Sequence, residues 1–184
     1  MTQIRDAQPV DAARLAEIHA FSWQMAYRDL LSDSYLDGLN ATTRLDWWDS
    51  RLARIPPRWA VLVVEKERAV AGFVTIGHCD DDDRRVAEAG EVYAMYVDPR
   101  WWGLGLGRKL LAGAEDRMRA YAYTTASLWV LRDNRRGRRF YELGGWRVDA
   151  AERRLVIGSD AVTAVRYVRD LAPSATDKQR PDTG

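Results

Sequence analysis

The chain has 184 residues, enough for one domain with a substantial core. Its 28 basic and 27 acidic residues leave a formal charge of +1, which excludes the one-sided basic excess of a general nucleic-acid binder. A single cysteine excludes an internal disulfide framework, no apolar run approaches the roughly 20 residues that span a bilayer, and no signal-peptide pattern opens the chain, so a cytoplasmic protein with no membrane partner is expected.

In chain order, residues 3–5 read as a short first strand. Pro9 suits the first turn of a helix, and Leu15, Ile18, Phe21, Ser22 and Met25 then recur at helical spacing. A short helix starts at 32–36, and another covers 43–54 until Pro56 and Pro57 break it. Runs 59–65 and 69–77 are apolar and β-branched, joined by charged residues, and predict a hairpin. Residues 78–88 form a polar loop with four consecutive aspartates, Asp80, Asp81, Asp82 and Asp83, expected to be a solvated loop. A strand follows at 91–97. Leu106, Leu110, Ala114, Met118 and Tyr121 then make one apolar helix face. A strand at 124–131, a helix at 135–143 and closing strands at 146–148 and 162–168 complete one α+β domain over residues 1–171. Residues 172–184 are polar with two prolines and predict a disordered tail; there is no internal repeat.

The most specific stretch is Val97-Asp98-Pro99-Arg100-Trp101-Trp102-Gly103-Leu104-Gly105-Leu106-Gly107-Arg108-Lys109. A strand stops at a proline, a loop with three glycines follows, and a helix opens with two basic residues. Glycine lets the main chain approach an anion, and the first turn of a helix offers unpaired N–H groups at its positive end. The dinucleotide fingerprint does not fit, because its third glycine would fall at Arg108. A P-loop does not fit either, because Leu110 stands where a hydroxyl would hold magnesium.

Trp102-Gly103-Leu104-Gly105-Leu106-Gly107 resembles the Arg/Gln-x-x-Gly-x-Gly/Ala pyrophosphate loop of the GNAT acetyltransferases, with Trp102 in place of Arg or Gln. The stretch Leu128-Trp129-Val130-Leu131-Arg132-Asp133-Asn134, then Arg139-Phe140-Tyr141-Glu142-Leu143-Gly144-Gly145-Trp146, is similar to the second conserved block of that family. The two blocks lie in the family's order and cover residues 91–146. The resemblance implies a mixed, mostly antiparallel central sheet flanked by helices, with splayed central strands holding acyl-CoA. It implies that main-chain amides of residues 103–108 hold the pyrophosphate, that Met95, Tyr96 and Val97 pair with the pantetheine arm, and that acetyl-CoA is the co-substrate with no metal.

Acetyl transfer to an amine needs a proton acceptor, a group that polarises the thioester carbonyl and an acid for the leaving thiolate. Tyr141 is the candidate acid; its other reading is a core aromatic beside Phe140. Glu91 is the candidate base; its other reading is a solvent-facing carboxylate at a strand end. Asn134 is expected to cap a helix and, by the resemblance, to touch the coenzyme arm. Of Arg132, Arg135, Arg136, Arg138 and Arg139, most read as a solvated face, while Arg136 with Arg108 and Lys109 is expected to meet the coenzyme's phosphates. Cys79 lies among His78 and aspartates, which disfavour a reactive thiolate, and zinc-ligand spacing is absent. Trp23 and Tyr27 are candidates for the acceptor pocket, the aspartate run a candidate attractor of a cationic amine, and Phe21 and Trp47 are expected in the core.

The function expected is transfer of an acetyl group from acetyl-CoA to a primary amine of a small molecule or peptide, by direct attack in a ternary complex. A non-catalytic acyl-CoA-binding module is the alternative, encouraged by Trp102; a nucleic-acid role for the arginine run is the third reading. A homodimer is expected by family habit alone.

Overall fold

The computed structural model describes residues 2–84 and 88–171. The expected tail at 172–184 lies outside the described residues, as do residues 85–87 of the polar loop. The strands are β1 (Thr2–Asp6), β2 (Ala60–Lys66), β3 (Ala69–His78), β4 (Ala89–Val97), β5 (Thr125–Leu131), β6 (Arg147–Ile157) and β7 (Asp160–Asp170). They form one seven-stranded sheet in the order β1-β2-β3-β4-β5-β7-β6. Only β4 and β5 run parallel; the other neighbours are antiparallel. The helices are α1 (Ala12–Ala26), α2 (Asp33–Gly38), α3 (Ala41–Ala53), α4 (Leu106–Ala120) and α5 (Arg135–Leu143), none of them long and apolar enough to cross a membrane. The fold is the α+β, mostly antiparallel arrangement expected.

The sheet is covered on both faces in its middle, which is why β2 and β3 read as nearly continuous apolar runs. On one face α4 packs Leu110, Ala114 and Met118 against Val64, Val74, Ile76 and Val92. On the other, α1 and α3 pack Leu15, Ile18 and Trp48 against Val63 and Phe73. The Trp48 and Phe73 rings meet edge to face with centroids 4.7 Å apart, and burying each contributes about 1.5–3 kcal/mol. The expectation that Phe21 and Trp47 are core is corrected: they are 38% and 48% exposed. Successive helical residues point about 100° apart, so only Trp48 and Leu52 of α3 face inward, and the inward stripe of α1 runs through Leu15, Ile18 and Ser22.

The sequence reading also missed most of β6. That strand runs Arg147–Ile157 instead of stopping at residue 148. It is an edge strand with most side chains exposed and a register irregularity between Val148 and Glu152, so its sequence lacks the apolar alternation of a half-buried strand.

One feature of the register makes the site. β4 and β5 pair only from Ala89↔Thr125 to Val92↔Leu128. Beyond this, β4 stays with β3 and β5 with β7, so the two strands part as a fork. A bulge marks the parting: Ile76 pairs with Val92 and Thr75 with Ala94, leaving Tyr93 as the extra residue.

Candidate active site

A cavity of about 580 Å³ fills the fork. Met95, Tyr96 and Val97 of β4 form one wall, Leu128, Trp129 and Val130 of β5 another, and the glycine loop, α4 and α5 close the end. The loop is anchored by Asp98, which is fully buried and whose side chain accepts a hydrogen bond from Arg100 N at 3.0 Å. Burial pushes that carboxyl up, but hydrogen bonds from the Arg100 and Arg14 guanidinium groups outweigh it and hold the pKa down at about 2. Arg14 belongs to α1, so this ion pair ties the loop to the opposite face of the sheet.

Gly103 and Gly105 sit in the left-handed region, at φ of 81° and 75°, with open space where a Cβ would be. Conformation, not crowding, is what demands glycine there. The first backbone bond of α4 runs from Lys109 N to Gly105 O at 3.2 Å, so the N–H groups of Leu106, Gly107 and Arg108 precede the helical ladder. Those three residues line the cavity. This is an anion cradle built from main chain and helix dipole. Leu104 and Lys109 lie outside the lining, on the exposed surface.

Trp102 takes a structural part. Its indole N–H donates to Val97 O at 2.7 Å, and the Arg136 guanidinium lies over its ring, 3.5 Å from the centroid. Ser22 Oγ also donates to Val97 O at 3.3 Å, so that carbonyl is already engaged. Arg136 is thereby held at the cavity wall from α5. Asn134 accepts from Gly137 N at 2.9 Å and is the N-cap of α5, as expected; a Cβ on Gly137 would come within 2.8 Å of the Asn134 amide. Asn134 lines the same cavity. Arg138 and Arg132 are committed elsewhere: Arg138 donates to Tyr167 Oη and to Arg132 O, and Arg132 pairs with Glu152.

Tyr141 reaches the cavity from α5 and packs against Phe140 at 5.1 Å between ring centroids. Burial, then the nearby Tyr27 hydroxyl, pushes its phenol above the usual range, so it is a neutral proton donor near pH 7.

Glu91 stands apart. It faces Ser127 in the paired part of β4 and β5, is 5% exposed and lies outside the cavity lining, although Val92 and Tyr93 beside it belong to that lining. One ligand atom each of Cys79, Asp81 and Glu91 lie within 4.8 Å of one another. Burial, then the charge of Asp81, pushes the Glu91 carboxyl up to about 7. Cys79 is buried, accepts a hydrogen bond from Ser127 Oγ at 3.2 Å and has its thiol pushed up by burial, which makes it a poor nucleophile.

Asp80, Asp82 and Asp83 are exposed, as expected of a solvated loop, but Asp81 is buried, and the expectation that the run's field draws a cationic amine is not supported by its ion pairing. Arg166 of β7 donates to Asp81 at 2.9 Å, to Asp83 at 2.6 Å and to Asp149 at 2.9 Å, and Arg153 of β6 also pairs with Asp81. His78 Nε2 lies 2.9 Å from Asp80, and Tyr93 donates to Asp80 at 3.1 Å. Arg153 and Arg166 lie 72–85 residues from the aspartates they pair with, so composition alone could not show this pairing.

A second cavity of about 490 Å³ adjoins the first, under α1, α3 and the β6–β7 turn. Tyr93, Ala94 and Tyr96 line both. Tyr27 lines the first and Trp23 the second, with their rings 5.0 Å apart. The sequence reading missed His19, Arg44, Arg51 and Thr75 of this wall. A signal was present for two of them, because Arg44, Trp47, Trp48 and Arg51 recur at i, i+3, i+4 and i+7. Burial, then the Arg44 charge, lowers the His19 pKa to about 4, so that imidazole is neutral.

Comparison with known proteins agrees with this geometry. The family model of the GNAT acetyltransferases matches residues 14–146. The N-acetyltransferase YuaI of Bacillus subtilis is 28% identical over 135 residues, 73% of this chain and 74% of its own length. The L-amino acid N-acyltransferase MnaT of Escherichia coli is 36% identical over 121 residues, 63% of this chain and 62% of its own. Among solved structures, the acetyltransferase yncA of Salmonella typhimurium, determined with its cofactor acetyl-CoA, superposes with a TM-score of 0.69 at 23% identity, covering 100% of this chain and 99% of that one.

Proposed function

Because the chain belongs to the GNAT acetyltransferase family, whose members depend on acyl-CoA and act on amines, we propose that it moves an acetyl group from acetyl-CoA to the amine of a small molecule or peptide, by direct attack in a ternary complex. The observation that carries this reading is the fork between β4 and β5, closed by a glycine loop that leads straight into the N-terminus of α4. The cradle suits a pyrophosphate, and the open edge of β4 at residues 93–96 offers main chain not paired with β5 to an extended arm. Arg136, propped on Trp102, supplies the N–H donors that the family's Arg or Gln at this loop position would otherwise bring.

In the reaction, the amine nitrogen bonds to the acetyl carbon as the carbon–sulfur bond breaks. Glu91 takes the amine proton through intervening water, since it stands one residue short of the fork in the last paired part of β4, and a carboxyl that titrates at about 7 is matched to that task. Tyr141 gives its proton to the thiolate. Trp23 and Tyr27 flank the acceptor.

A non-catalytic acyl-CoA-binding module is the second reading. Trp102 and the position of Glu91 outside the cavity lining favour it; Tyr141 in the cavity wall opposes it. The deciding experiment is calorimetric titration with acetyl-CoA, beside coenzyme A and NAD, followed by a thiol-release screen of amines. Binding on the order of micromolar with NAD silent, and turnover with some amine, supports the enzyme. Binding without turnover for any amine supports the module, and no binding overturns both. Light scattering tests the homodimer.

A further inference from the structure

The cavity under α1 and α3 has a chemical character of its own. Among the described residues, its lining contains two arginines, Arg44 and Arg51, and no aspartate or glutamate. Each guanidinium is held by aromatic rings: Arg44 lies 5.7 Å from the Trp23 centroid, and Arg51 lies 5.8 Å from Trp47 and 4.5 Å from Trp59. Among the described residues neither makes an ion pair with a carboxylate, whereas Arg5, Arg14, Arg28, Arg117 and Arg166 all do. Ring stacking orients a guanidinium while leaving its N–H edge for a planar anion.

Two further observations point to a polar ligand. Thr75 Oγ1 and His19 Nδ1 are buried with no hydrogen-bond partner among the described residues, and both residues belong to this wall, at 2% and 8% exposure. Buried polar atoms left unpaired are costly and uncommon, so their clustering at one cavity needs an explanation. The rest of the wall is aromatic or aliphatic, including Tyr35 and Ile157.

We propose that this cavity is the acceptor site and takes an amine that also carries a carboxylate and a bulky apolar group, an amino acid in chemical class, with Arg44 and Arg51 holding the carboxylate. The proposal rests on the reading of the chain as an acetyltransferase. The two cavities share Tyr93, Ala94 and Tyr96, and that seam is where an acceptor nitrogen meets the acetyl group. The nitrogen bonds to the acetyl carbon, the carbon–sulfur bond breaks, the amine proton leaves to the base, and the sulfur leaves as a thiolate that takes up a proton. The products are an N-acetyl amino acid and free coenzyme A. A polyamine is disfavoured, because its second cation would face two guanidinium groups with no carboxylate to receive it.

The test is thiol release at saturating acetyl-CoA. The probes are L-amino acids with aliphatic, thioether and aromatic side chains, their methyl esters, their decarboxylated amines, and spermidine. At least one free acid is expected to exceed its ester and its decarboxylated amine in kcat/KM by about tenfold to a hundredfold, with spermidine inactive. Arg44→Gln and Arg51→Gln are expected to raise KM for that acid by about the same factor, to leave kcat within about twofold, and to abolish the preference over the ester. Esters or decarboxylated amines that match the acids overturn the proposal, as do variants that slow acid and ester equally. If no probe reacts while calorimetry still shows acetyl-CoA binding, the acceptor proposal falls and the donor reading stands. If acetyl-CoA itself does not bind, the donor reading has failed.

Discussion

The two adjoining cavities are built from different material. The donor cavity uses main chain: left-handed glycines, the open N–H groups of α4, and the parted edges of β4 and β5. The neighbouring cavity uses side chains from α1, α3, β3, β4 and the end of β6 that are up to 138 positions apart, from His19 to Ile157. A backbone site needs a local conformation, so it leaves a compact motif in the sequence. A side-chain site needs only that distant residues converge, so one wall varies without disturbing the other. On the proposed reading, the difference separates what is generic, gripping a phosphate ester, from what is particular, choosing an acceptor.

Mutations on the two sides of the seam test that division. The largest effect is expected from Tyr141→Phe, which removes the proposed proton donor while keeping the ring. Turnover should fall by about 10² or more, with the acetyl-CoA affinity from calorimetry nearly unchanged. An unchanged kcat removes Tyr141 from the chemistry.

Glu91→Gln should lower kcat by a comparable or somewhat smaller factor and erase the rise in rate expected as pH climbs through about 7. The same variant carries a stability signature. The folded carboxyl sits at about 7 against an ordinary 4.5, so the folded state binds more protons between those values and wild-type stability declines as pH rises through that window. Denaturant titrations should therefore show the variant gaining about 3 kcal/mol relative to wild type between pH 4.5 and 7. A pH-independent difference would mean that the carboxyl is not buried as described.

Smaller effects belong to the donor grip. Gly105→Val forces a β-branched residue to a φ of 75° and should weaken acetyl-CoA binding by about tenfold while costing about 1–2 kcal/mol in stability. Arg136→Ala leaves Trp102 without its cation and should weaken acetyl-CoA by about threefold to tenfold, more strongly at low salt, with the acceptor KM untouched. Changes in acceptor KM from either variant would blur the division between the cavities.

The strands and helices that line the donor cavity were legible because each carries its own signal. Alternation marked β4, a 3.6-residue stripe marked α4, and the Asn134 cap marked the start of α5. The edge strand β6 was not legible beyond its first residues, because a strand paired on one side with exposed side chains has no need of apolar alternation. Phe21 and Trp47 were misread for a related reason: an aromatic residue on an amphipathic helix looks like core until the angle of that helix on the sheet is known.

The sequence by itself determined one α+β domain and, through the resemblance carried by its glycine loop and the block from Leu128 to Trp146, the family, because left-handed glycines and a helix cap are short-range backbone requirements that few residue types meet. Only the tertiary structure decided that Asp81 and Asp83 are clamped by Arg153 and Arg166, that Glu91 sits in the paired part of β4 and β5, and that Arg44 and Arg51 line an aromatic cavity without carboxylate partners among the described residues. Charge pairing and burial are properties of proximity in space, and proximity between residues tens of positions apart is fixed by packing, not by any local pattern.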